Sequence, residues 1–126
     1  MKKTLNVRIT KDSKKVTIKF PTNGQIIDME AMLSGLSFSI LKPNSRAHKI
    51  VESMGFFAST SEELLKEHGL DNANWLDLSY VEVAPFVSTY FNEIKPWIDS
   101  VYKELDEVYE EVKEKREEVE KVIEKK

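Results

Sequence analysis

The sequence predicts an α+β fold: an N-terminal antiparallel β-hairpin packed on a helical body, with a long charged C-terminal helix. Three observations carry this prediction. Apolar and polar residues alternate twice within the first twenty positions, which is the period of a half-buried strand. From Thr22 onward the apolar spacing becomes helical. Beyond Val101 the apolar residues thin to a single stripe among Glu and Lys.

The hairpin spans residues 4–20. Leu5, Val7 and Ile9 form one buried row, and Val16, Ile18 and Phe20 form the other. The intervening TKDSKK is turn chemistry. Two strands alone are marginal in water, so this face needs a helix or another chain over it. Pro21 lacks the N–H that a ladder requires and ends the second strand.

Helices begin at residue 23. Thr22 and Gln25 fit a capping box, T-x-x-Q. Ile26, Ile27, Met29 and Leu33 share most of one helical face, and Gly35 is the expected stop. LSFSILKPN reads as a short strand or a connecting loop that Pro43 ends. Asn44 or Ser45 caps a second helix, whose core stripe is Ala47, Ile50, Val51 and Met54. Gly55-Phe56-Phe57 either breaks this helix or continues it. STSEELLKEHG is a short helix with Glu62 and Glu63 in its first turn and Gly69 at its end. LDNANWLDLS is a loop anchored by Trp75, Leu76 and Leu78. Ser79 and Glu82 suggest another capping box, and the chain is then helical almost to its end. Pro85 lies early in this helix. Pro96 lies deeper and is expected to kink or divide it.

Val101, Leu105, Val108, Val112, Lys115, Val119 and Val122 step by four and three, an a/d register with one polar position. Such a segment is either a solvated single helix with Glu–Lys support or a weak coiled-coil seam. A helix projecting from the body is the expectation. The chain thus divides into an α+β domain, residues 1–102, and a charged helical extension, residues 103–126.

The 126 residues suit one domain, and a chain of this length buries roughly two-thirds of its unfolded surface. Net charge is −3 but uneven: residues 1–20 carry seven basic and one acidic side chain, residues 21–102 five and eleven, residues 103–126 seven and ten. A basic hairpin against an acidic remainder suggests a polar partner surface or head-to-tail association, or lysines that simply protect strand edges. The absence of cysteine excludes disulfides, thiolate metal sites and a Cys nucleophile, and makes an intracellular origin the default. The start MKKTLNVRIT has no apolar run of a signal peptide, and no stretch approaches the ~18 apolar residues of a membrane span.

Enzyme chemistry finds no support. His48 has only Glu52 at ligand spacing, and one His–Glu pair is not a metal site. His68 precedes a helix-ending glycine, where a cap or surface role suffices. Asp28 and Glu30 point in different directions on a helix. No serine lies in a G-x-S-x-G setting, and Gly24 has no phosphate-loop company. The expectation is therefore no catalytic residue, no metal and no cofactor. A basic-edged nucleic-acid or regulatory binding module is a lesser alternative: nucleic-acid binding is disfavoured, because the chain is acidic outside the hairpin and its aromatics follow the helical core pattern. What remains is partner binding, through Arg8, Lys15 and Lys19 on the hairpin and Val108, Val112 and Val119 on the seam.

The run from Phe20 to Glu30, FPTNGQIIDME, and the later Lys95-Pro96-Trp97 resemble small proteins encoded among the structural genes of tailed bacteriophages, including phages of gut Bacteroidetes. The resemblance spans about residues 5–105. The layout is also similar to that of tail assembly chaperones, which have a small β element, helices and a charged C-terminal segment. It implies a non-enzymatic protein of the host cell cytoplasm that binds tape measure or tail tube subunits during assembly. The helix after Leu105 departs from the simpler members as an extension, which leaves open a connector or tail-associated subunit of the virion. Protein partners are implied either way, with self-association a further possibility.

Overall fold

Strands β1 (Thr4–Val7) and β2 (Val16–Lys19) pair antiparallel, with Leu5 opposite Ile18 and Val7 opposite Val16. This register puts the predicted rows on one side: Val7, Ile9 and Ile18 are buried, and Leu5, Val16 and Phe20 pack against them. The hairpin turn is closed by Ser13, whose Oγ accepts from the Thr10 N–H and donates to the Thr10 carbonyl, both at 2.9 Å. Residues 1–70 and 75–124 are described by this computed structural model, so residues 71–74 of the expected loop and the last two residues lie outside the described residues.

Helix α1 (Asn23–Gly35) starts at the predicted capping box. Thr22 Oγ1 accepts from the Gln25 N–H, and Gln25 Oε1 accepts from the Thr22 N–H at 2.9 Å. No α1 side chain is fully buried, and Ile27, expected on the core face, is 65% exposed. Its apolar residues spread around the cylinder, and only Met29, Met32 and their half-buried neighbours meet the core. Gly35 remains inside the helix. The chain reverses two residues later at Ser37, which takes the left-handed conformation (φ 57°) and leads into a 3₁₀ turn at Phe38–Ile40.

Helix α2 (Arg46–Thr60) is capped by Ser45, whose Oγ accepts from the His48 N–H. It continues through Gly55-Phe56-Phe57, and every residue from Ser53 to Ala58 is buried. It is the central element, packed by α1 and by the two helices that follow it. Gly55 permits the contact with α1: a Cβ there would lie 3.0 Å from Leu33 Cδ2. Ala47, expected in the core stripe, lies in the exposed first turn.

Helix α3 (Glu62–Glu67) ends in a Schellman turn. Gly69 adopts φ 75°, its N–H donates to the Lys66 carbonyl, and the Leu70 N–H reaches the Leu65 carbonyl at 2.9 Å. Both Leu65 and Leu70 are buried, which supplies the apolar contact that accompanies this motif. Trp75 is buried and Leu78 half-buried, but Leu76 is exposed, so the loop anchor is narrower than expected.

Helix α4 (Tyr80–Thr89) is capped by Ser79, whose Oγ accepts from Val81 rather than from Glu82. Pro85 leaves the Val81 carbonyl without its helical donor, at a residue that faces solvent. A π-turn, Tyr90–Ile94, joins α4 to α5 (Lys95–Glu124). Here the Lys95 N–H donates to the carbonyl of Tyr90, five residues back. Pro96 has no N–H, and its ring crowds the carbonyl four residues before it. The wider turn accommodates both facts, so the proline is met by a local widening at the helix junction.

The N-terminal hairpin region is tied to α5 by a hydrogen bond and by aromatic packing. Trp97 Nε1 donates to the Lys2 carbonyl at 2.9 Å. The Phe20 ring stands edge-on to Trp97 and to Tyr102, with centroids 5.9 and 5.4 Å apart.

Candidate functional site

α5 is 30 residues long, about 45 Å at helical rise. The core face that runs from the π-turn into α5 carries Ile94, Trp97 and Val101 in turn, all buried. The same face continues as Leu105, Val108, Val112, Val119 and Val122, all exposed. No side chain described after Val101 is buried, so the distal helix projects as an arm. It is unbroken across residues 102 and 103.

Val108, Val112 and Val119 therefore lie where the spacing placed them, at 54%, 44% and 59% exposure. Tyr102, Tyr109 and Ile123 join them, and the spacing argument missed these three. Each lies one position after a d residue, and together they widen the seam into a stripe of roughly 160° at a helix's turn per residue. Counting i+4 from Leu105 and from Val119 would have found Tyr109 and Ile123. Glu104, Glu111 and Glu118, seven residues apart, line one edge of the stripe. Lys115 interrupts it near the middle.

Arg8, Lys15 and Lys19 are exposed on the hairpin, but the structure does not gather them. Arg8 and Lys15 flank the turn end, beyond the Val7–Val16 pair, whereas Lys19 pairs with Thr4 at the other end. The outer face between them carries Asn6 and Thr17, whose side chains bond at 2.8 Å. Only Lys19 approaches the arm. With Met1, Lys3, Thr4 and Phe20 it faces Val101 and Leu105 across a notch of about 380 Å³. The notch brings the two chain regions together, and no local sequence signal encodes it. The N-terminal amine stands 3.9 Å from Glu104 on the arm.

A second polar group clasps the π-turn. Lys95 Nζ lies 2.9 Å from Glu52 Oε2, and the Glu52 side chain is only 14% exposed. The Tyr90 phenol faces the same carboxylate; burial first, then the charge of Glu52 and a hydrogen bond to it, hold its pKa far above the ordinary range. Lys95 also lies 5.2 Å from the centre of the Phe91 ring. Buried Glu52 Oε2 has the Lys95 ammonium as its ion-pair partner and accepts no hydrogen bond, and the cluster fastens α2 to the junction of α4 and α5.

His48 is stacked on Phe38 with centroids 4.2 Å apart, and His68 meets the Phe86 ring edge-on at 5.3 Å. Among the described residues no group of three or more His, Asp or Glu is arranged to hold a metal ion, and no helix is long and apolar enough to cross a membrane. A scan against protein-family models, a search of curated proteins and a search of solved structures found no match to this chain.

Proposed function

We propose that the protein is a non-enzymatic assembly factor of the tail assembly chaperone kind, working in the host cell cytoplasm. It holds a tail subunit or tape measure protein against the arm of α5. The observation that carries this reading is the uncovered apolar stripe from Leu105 to Val122, which continues the core face of the same helix. A stripe of this width is a surface for another helix, the helix-in-groove mode of recognition. The resemblance of Phe20–Glu30 and Lys95–Trp97 to phage structural-cluster proteins supplies the biological setting.

An arm of this length also suits a virion subunit that stays docked on its neighbours. Quantitative mass spectrometry of infected-cell lysate and purified particles separates the two. A chaperone is abundant in the lysate and missing from finished particles. Stoichiometric amounts in the particle would reject the chaperone and leave the connector or tail-associated subunit.

A further inference from the structure

We infer that the arm's occupant is an amphipathic helix of a different protein, flanked by basic residues, with one apolar side chain seated in the notch beside Phe20. This rests on the reading of the arm as a partner surface and adds the chemistry of the partner.

The arm's apolar face is continuous with the interior. Val101 is buried, and Leu105, the next residue of the seam, is 41% exposed because the body stops there. A helix laid along the arm extends the packing begun at Trp97 and Val101. Its first apolar residue reaches the notch bounded by Phe20, Val101 and Leu105, with Lys3 and Lys19 on the rim. A carboxylate next to that anchor meets the two lysines.

The charges argue against a second copy. In a parallel pair, Lys115 meets Lys115 in the middle of the seam. In an antiparallel pair with the stripes fully overlapped, Glu111 lies against Glu118 of the other copy, and the reverse contact repeats it. Repulsion thus meets self-pairing in either polarity, along a seam only three heptads long and mostly valine. A foreign helix escapes both problems. Lys or Arg along one edge pairs with Glu104, Glu111 and Glu118, and one acidic residue faces Lys115.

The test uses the full chain and two synthetic three-heptad peptides with the same leucine core. One carries Lys on its flanks and a single Glu in the layer facing Lys115. The other has these charges exchanged. Sedimentation gives the protein's own state, and titration calorimetry at about 0.1 M salt gives the affinities. The expected results are a monomeric chain and at least tenfold tighter binding of the basic-flanked peptide. The double variant Glu111→Lys, Glu118→Lys should remove that preference, and Val112→Asp should remove binding of both peptides. Both variants alter exposed arm positions, and near-UV circular dichroism of Trp75 and Trp97 checks that the body is unchanged. Equal binding of the two peptides would overturn the charge assignment. A stable dimer dissociated by Val112→Asp would assign the arm to a second copy, overturning this inference while the arm remains a binding surface. A monomer that binds neither peptide would overturn the partner-surface reading as well.

Discussion

Tyr90→Phe probes the clasp at the π-turn, and its effect should depend on pH in a defined direction. At neutral pH the variant loses a hydrogen bond to a carboxylate, an interaction worth about 1.5–3 kcal/mol. Lys95 stays 2.9 Å from Glu52 in the variant, so the low end, about 1.5 kcal/mol, is expected. Above about pH 10 the balance changes. Burial, reinforced by the charges of Glu52 and Asp99, raises the Tyr90 pKa in the folded protein. The fold therefore favours the protonated phenol. That contribution is complete below the unfolded pKa of about 10 and is lost as pH rises, because the unfolded chain ionises while the folded chain does not. The loss approaches about 1.4 kcal/mol per pH unit. Tyr90→Phe lacks this penalty. The stability difference between wild type and variant should shrink from about 1.5 kcal/mol near pH 8 to about zero near pH 11. Urea unfolding followed by far-UV circular dichroism across that range measures it. A difference that stays constant would mean that Tyr90 ionises as readily in the folded chain as in the unfolded one, and would refute the account of the clasp.

Truncation after Leu105 should leave the body folded, with stability changed by less than about 1 kcal/mol, since the described side chains removed are all exposed; global unfolding in a thermal melt would show that the arm packs back on the body. Trp97→Phe removes the bond to the Lys2 carbonyl and should cost about 1–3 kcal/mol, with faster amide exchange in β1 than elsewhere. Unchanged exchange in β1 would mean that this bond does not hold the strand. Gly69→Ala forces a Cβ onto a left-handed residue and should cost about 1–2 kcal/mol by chemical denaturation, and an unchanged midpoint would contradict the Schellman turn.

The parts of the fold that sequence reading reached are those built from local rules. Alternation over Leu5–Ile9 and Val16–Phe20 is enough to place a hairpin, and Thr22 with Gln25 is enough to start a helix. Ile27 shows the limit of such rules: apolar residues around α1 do not say which side α2 will cover, and Gly55 with Leu33 decides that from a distance. Ser37 shows another, because a serine in the left-handed region has no compositional mark of the kind glycine gives. The candidate site divides in the same way. Val108, Val112 and Val119 follow from spacing along one helix. The notch needs the hairpin's end set against Val101 and Leu105, and the clasp needs Glu52 set against Tyr90 and Lys95. Both are products of tertiary packing.

The π-turn before Pro96 has a consequence for the arm's compass bearing. An α-helix advances about 100° per residue, and a π-turn accommodates one residue more than an α-turn does. Winding the same five residues, Tyr90–Ile94, at ordinary α pitch would swing everything downstream by about that angle. Trp97 would leave the Lys2 carbonyl, and the stripe from Leu105 onward would look away from the hairpin. The direction in which this protein offers its arm is thus set by a single residue of helical phase, inserted well upstream of the surface it aims.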